Sequence, residues 1–186
     1  MTAWYTADPH FNHDNIIHYC KRPFASVYQM DDVLVENYTA CVKPEDDLWI
    51  VGDFGFEYSS RKGYLDNIFA RLPGHKHLVI GNHDSKLITG FSWDSVHDIV
   101  TVKDGDQNFV LCHYPMLTWE GARKGAIQLF GHVHNYWRGT RNSVNVGVDL
   151  WNFKPVQKQD IITSARLLPD NLYWSVVEPG VALKTG

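Results

Sequence analysis

Short apolar runs alternate along the chain with longer stretches in which apolar residues recur every three or four positions. The runs Ala3–Thr6, Leu48–Val51, His77–Ile80, Phe109–Cys112, Ile127–Phe130 and Val144–Val148 are each bounded by Gly, Asp or His and read as strands. Between them, Met30, Val33, Leu34, Tyr38 and Cys41 fall on one helical stripe, and Leu65, Ile68, Phe69 and Leu72 on another. Pro73-Gly74 stops the second helix. Asp104-Gly105 reads as the turn of a hairpin joining Ile99–Val102 to Phe109–Cys112, and Pro155 precedes a helix running to about Leu167. No repeat, low-complexity tract or Pro/Ser linker interrupts this order, so it predicts one α/β domain over residues 1–186.

Charge and cysteine usage narrow the function classes. With 17 Lys and Arg against 21 Asp and Glu, the net charge of −4 offers no global field for a polyanion, which argues against long nucleic acid as a partner. Met1–His10 contains no basic segment followed by an apolar core, and no run approaches the ~18 apolar residues that cross a bilayer. The expectation is a cytoplasmic protein without a membrane partner. Cys20, Cys41 and Cys112 are odd in number and far apart, so they form neither a complete disulfide framework nor a Cys-x-x-Cys metal knuckle, and are read as reduced, buried thiols.

Histidine is the unusual residue: of ten, five lie in short motifs rich in Gly, Asp and Asn. On the strand map, Asp8 and His10 follow the first strand, Asp53 the second and Asn82 to Asp84 the third. His113 follows the strand after the hairpin, and His132 with His134 the next. All sit at carboxyl ends of strands, the edge of an α/β sheet where ligands bind. In an extended segment, residues two apart project to one side, which lets Asp8 with His10, and His132 with His134, grip one centre. Gly52, Gly81 and Gly131 immediately precede Asp53, Asn82 and His132, where a missing Cβ permits a sharp turn and close approach. Two carboxylates, one amide oxygen and four imidazoles exceed what one tetrahedral ion takes; they suit two divalent cations if a carboxylate bridges.

Asp8-Pro9-His10, Gly52-Asp53, Gly81-Asn82-His83-Asp84, His113 and Gly131-His132-Val133-His134 occur in the order characteristic of the calcineurin-like metallophosphoesterases. The chain resembles that family, in its small prokaryotic or phage-type form. The resemblance implies a four-layer αββα sandwich of two mixed β-sheets. It implies that Asp8, His10 and His134 hold one metal, that Asn82, His113 and His132 hold a second, and that Asp53 bridges them. It also implies hydrolysis of a phosphoester, with a hydroxide bridging the two metals as nucleophile, His83 protonating the leaving oxygen and Asp84 orienting the His83 ring. A phosphodiesterase for a small phosphorylated molecule or nucleotide is the leading reading; a phosphomonoesterase, or a scaffold without catalysis, are the alternatives. Oxygen and imidazole donors fit manganese first, with iron, zinc or magnesium behind it. The sequence departs from some relatives at Phe54-Gly55-Phe56, where aromatic residues make the wall beside Asp53 apolar.

Asn12, His13 and Arg22 are candidate substrate contacts; the competing readings are a helix-capping loop for the first two and a surface contact for Arg22. From Trp119 to Arg141, Arg123, Lys124, Arg138 and Arg141 interleave with Trp119, Tyr136 and Trp137, either as a rim that stacks a base or as core aromatics beside a solvated face. Asn145 to Asn152 is either a pocket wall, through Asp149 or Trp151, or packing. His18, His75, His77 and His97 lack a motif and read as surface or strand-edge residues.

Overall fold

A computed structural model describes residues 1–182. Strands β1 (Ala3–Thr6), β2 (Asp47–Val51), β3 (His75–Val79) and β4 (Ser95–His97) run parallel to one another. The chain then forms β5 (Ile99–Asp104), β6 (Gln107–Cys112), β7 (Ile127–Phe130), β8 (Gly139–Thr140) and β9 (Ser143–Asn145), and returns as β10 (Val156–Gln157) to the outer edge of β1, antiparallel to it. The two five-stranded sheets have the orders β10-β1-β2-β3-β4 and β5-β6-β7-β9-β8. In the second, β6, β7 and β9 are parallel while β5 and β8 are antiparallel edges, so both sheets are mixed, as the resemblance implies.

Alternation along the strands builds the layers. Tyr5, Ala7, Trp49, Val51 and Val79 from the first sheet meet Phe109, Leu111, Leu129, Val144 and Val146 from the second in a dry core between the sheets. The opposite side chains, Leu48, Ile50 and Leu78, pack under helices α2 (Val27–Cys41) and α3 (Tyr64–Arg71), which follow the short α1 (Asp14–Tyr19). The predicted stripes are the buried faces, with Met30, Leu34 and Tyr38 on α2 and Leu65, Ile68 and Phe69 on α3. The fourth layer is thin: Val110 on the outer face of the second sheet is covered by Trp119, Ala122, Ala126 and Trp174, the last on the four-residue α6 (Trp174–Val177). Helix α5 (Lys158–Leu167) inserts Ile161 and Ala165 into the core between the sheets, and the four-residue α4 (Lys86–Thr89) follows the third motif.

The hairpin turn falls on Gly105 and Asp106, because Asp104 still pairs with Gln107. Pro155 precedes a two-residue edge strand before α5 begins at Lys158. All three cysteines are free; Cys20 is buried, and Cys41 and Cys112 are half-buried. No helix among the described residues is long and apolar enough to cross a membrane.

Candidate metal centre

Backbone pairing continues past the strand ends and sets the motifs side by side. Beyond β1, the amides of Asp8, His10 and Phe11 donate to the carbonyls of Gly52, Asp53 and Phe54, 2.9–3.1 Å away, which fixes the first motif against the second. Gly131 N donates to His113 O in the other sheet, and the Ala7 amide reaches Val146 O across from the first sheet to the second. All seven expected ligands converge at this end of the sandwich. Asp8, His10, Asp53 and His113 form a buried floor, His132 and His134 are half-buried, and Asn82 and His83 face solvent.

The backbone there is not extended. Asp8, His10, Asp53, His132 and His134 all have φ between +47° and +68°, so five of the seven expected ligands occupy the left-handed region that non-glycine residues avoid. Each such residue costs roughly 1–3 kcal/mol and persists only where its surroundings over-determine it. Asp8 and His10 therefore aim at one centre through a strained kink, not through strand alternation. The motif glycines also serve a different purpose from the one expected. Only Gly52 has positive φ, at +85°; a Cβ there would collide with the His113 ring, one on Gly81 with the Asp53 carboxylate, and one on Gly131 with the Asp8 carboxylate. Their missing side chains make room for ligands.

The side chains form two overlapping groups. Asp8, His10 and His134 bring donor atoms within 4.8 Å of one another, as do Asp8, Asp53 and His113. Asp53 Oδ2 stands 3.5 Å from His10 Nε2 and 3.4 Å from His113 Nε2, between the groups. Asn82 Oδ1 lies 3.2 Å from His113 Nε2 and 2.9 Å from His132 Nδ1. Burial pushes the His10 imidazolium well below its usual range, so the ring is neutral, and its buried Nε2 has no hydrogen-bond partner. Burial opposes ionisation of Asp53, yet the hydrogen bond and charge of His113 hold that carboxyl far below its usual value. Burial raises Asp8 to about 6. A neutral imidazole whose buried Nε2 has no hydrogen-bond partner, an ionised carboxylate between two imidazoles and a costly second carboxylate are what a divalent cation would satisfy. The donor set fits such ions.

Neighbours orient these ligands. His113 Nδ1 donates to Val51 O at 2.9 Å, turning Nε2 inward. His134 Nδ1 donates to Asp149 Oδ2 at 3.1 Å; burial disfavours the imidazolium, but the Asp149 bond overrides it and raises the pKa to about 10. Asp149 is itself gripped by Arg22, with Nε and Nη2 donating to its two oxygens at 2.8 and 2.9 Å. Arg22 also donates to the carbonyls of Asp8 and Pro9 and to Met30 Sδ. Buried with all five N–H groups committed, Arg22 has none left for a phosphate, which corrects its expected role as a substrate contact. It is a positioning residue.

Two further expectations change. Asp84 accepts from the amides of Gly81, Asp53 and Phe54, at 2.8–2.9 Å, so its carboxylate clamps the second motif to the third and does not orient the His83 ring. Asn12 is buried, with its amide committed to Phe56 O and Arg61 Nη1. His13 stacks on Phe56 with ring centroids 4.8 Å apart, and its Nδ1 is 3.4 Å from that of His10. His83 carries its ring 5.5 Å from His10 on the exposed rim. In the basic and aromatic stretch, Trp119 is core, whereas Tyr136 is 79% exposed. Cys20, expected only as a buried thiol, has its sulfur within 4.8 Å of donor atoms of His134 and Asp149, and Asp149, one of two residues expected to form a pocket wall, lies behind His134.

No protein-family model matches the sequence. The uncharacterized protein MJ1445 of Methanocaldococcus jannaschii is 30% identical over 163 residues, covering 84% of this chain and 86% of that one. The chain belongs to the MJ1445 family. The gene 66 protein of Mycobacterium phage L5 is 24% identical over 183 residues, covering 80% of this chain and 87% of its own. Among solved structures, AQ665 of Aquifex aeolicus, a protein of unknown function, superposes with a TM-score of 0.71 at 25% identity over 88% of this chain and 98% of that chain. The MJ1445-family member described here has the sandwich that the resemblance to calcineurin-like metallophosphoesterases implies.

Proposed function

We propose that the protein is a dinuclear-metal phosphoester hydrolase, acting as a phosphodiesterase on a small phosphorylated molecule or nucleotide. The observation that carries this reading is the position of Asp53 between His10 and His113, with seven donors gathered around it and the buried His10 Nε2 left without a partner. Asp8, His10 and His134 would hold one ion and Asn82, His113 and His132 the other, with Asp53 shared. Two such ions supply charge for the phosphoryl oxygens and lower the pKa of water to near neutrality. Manganese is the first choice for a site of oxygen and imidazole donors.

The chain's own groups supply the rest. Arg22 and Asp149 hold His134 in one orientation, and Val51 O does the same for His113. His83, exposed on the rim, gives a ring proton as the imidazolium to the leaving ester oxygen and is left as the neutral ring. The rim is open on the His83 side and on the side of Tyr114, whose exposed ring packs edge-on against His132, so a diester has room for both arms. A phosphomonoesterase would use the same donors, while a scaffold gives no account of the strain at the ligands. The three free thiols favour a reducing compartment, the cytoplasm.

Elemental analysis after manganese loading, paired with hydrolysis of bis-p-nitrophenyl phosphate and p-nitrophenyl phosphate, tests the proposal. The expected outcome is two ions per chain and faster cleavage of the diester. Full activity at one ion per chain rejects the dinuclear site, and preference for the monoester selects the phosphatase.

A further inference from the structure

A groove of about 610 Å³ opens beside the rim that carries His83. Packed rings run from it toward the centre: His13 stacks on Phe56, Phe56 packs at a tilt against Tyr58 with centroids 5.1 Å apart, and Tyr58 lines the groove together with Asn12, two residues past His10. The His83 ring is 6.0 Å from Phe56, and the hydroxyl of Ser85, two residues on, bonds to Glu57 in the groove wall.

The lining selects its occupant. Tyr58, Leu65 and Leu87 present apolar surface, while Glu57, Lys62 and Asp66 supply polar groups between them. Arg61 also faces the groove, but its guanidinium is paired with Asp14 at 2.7 Å and bonded to Asn12 at 2.8 Å, lying over the rings of Tyr28 and Tyr58. Lys62 is balanced by two carboxylates, so the groove has no excess positive charge for a further phosphate. An alkyl chain would leave the polar groups of Glu57, Lys62 and Asp66 unused, and a bare sugar would leave the Tyr58 and leucine surfaces unfilled. A flat group with apolar faces and N–H donors on its edge satisfies both kinds of surface.

We propose that this groove is a nucleoside subsite, holding the base and ribose of a leaving group whose ester phosphate lies at the metal centre. The proposal rests on the hydrolase reading above, and its test separates the two. The manganese-loaded protein is titrated by calorimetry with the non-hydrolysable methylenephosphonate analogue of AMP, and with methylphosphonate, which lacks the nucleoside. The analogue is expected to bind about 5- to 150-fold more tightly, the range for stacking of one base. Tyr58→Ala should remove most of that gain. Leu87→Arg, on the exposed lip of the groove, should do so by occlusion without disturbing the ring ladder. Equal affinity for the two phosphonates overturns the subsite and leaves the metal-centre reading intact. Gain from the nucleoside with no measurable methylphosphonate binding, and with adenosine binding lost in Tyr58→Ala, supports the subsite while removing the hydrolase reading. Tighter binding of octylphosphonate than of the AMP analogue makes the groove an apolar-tail site and also overturns the proposal.

Discussion

Asp149 and Arg22 stand 127 positions apart in the chain yet share a bidentate pair, and through it the orientation of His134 depends on the loop that carries Asp8 and Pro9. Asp149→Asn should lower metal affinity about 10- to 100-fold, the usual effect of losing the partner of a ligating imidazole. Arg22→Lys keeps the charge but loses the fork, so it should reproduce most of that loss with the fold retained. Both follow from competition titrations with a chelating dye, and unchanged affinity in either variant would remove the positioning role. His83 predicts the opposite split, because the proposed function makes its ring a proton donor and not a ligand. His83→Ala should keep its metal, while turnover of an alkyl or nucleoside ester falls about 10²- to 10⁴-fold, the usual contribution of a placed proton donor. A p-nitrophenyl ester, whose phenolate leaves unaided, should lose much less. Equal losses on both esters would point to charge stabilisation in place of proton donation. Residues whose roles depend on sequence-distant partners were the ones the sequence misread: Arg22 and Asn12 looked available because nothing local shows that Asp149 and Arg61 bind them, and Asp84 sits beside His83 in the chain but points at three backbone amides.

At the level of elements, central strands and long helices were legible because each buries a full face and so repeats its apolar residues at the period of its backbone. β4, β8 and β10 were not, being two- or three-residue edges that need only part of a pattern. The boundary of β9 moved because Val144, Val146 and Val148 alternate as a strand would, but at Gly147 the chain leaves β7 to bridge Ala7 of the other sheet and turns toward Asp149. The motif glycines connect element to site. Gly81 follows the end of β3 with ordinary φ, so alanine is allowed by the backbone and excluded only by the Asp53 carboxylate and amide. Gly81→Ala should therefore leave the far-ultraviolet circular dichroism unchanged and weaken metal binding severely, as Asp53 is pushed from between His10 and His113. Metal affinity at the level of the unsubstituted protein would mean that the loop yields instead.

The whole molecule assembles the centre from both sheets at once. The first sheet delivers Asp8, His10, Asp53 and Asn82, and the second His113, His132 and His134, with Ala7 and Gly147 bridged across the seam. Two buried carboxylates and five strained ligand backbones meet where the sandwich closes, so the site exists only in the folded chain, and its strain is borne by the rest of the core. A cation bound there stabilises the native state and not the unfolded one, by about 2.7 kcal/mol at a hundredfold excess over the dissociation constant. For a chain of this length that corresponds to a rise of about 5–10 °C in melting temperature. Calorimetric melting in manganese against chelator should show it. Asp53→Asn should lose most of the rise, and in chelator it should melt only modestly lower than the unsubstituted protein, because the substitution removes the carboxylate charge that His113 meets. A variant destabilised equally with and without manganese would instead make Asp53 a structural acceptor for His83 N, which it meets at 2.8 Å, and would remove the shared-carboxylate assignment.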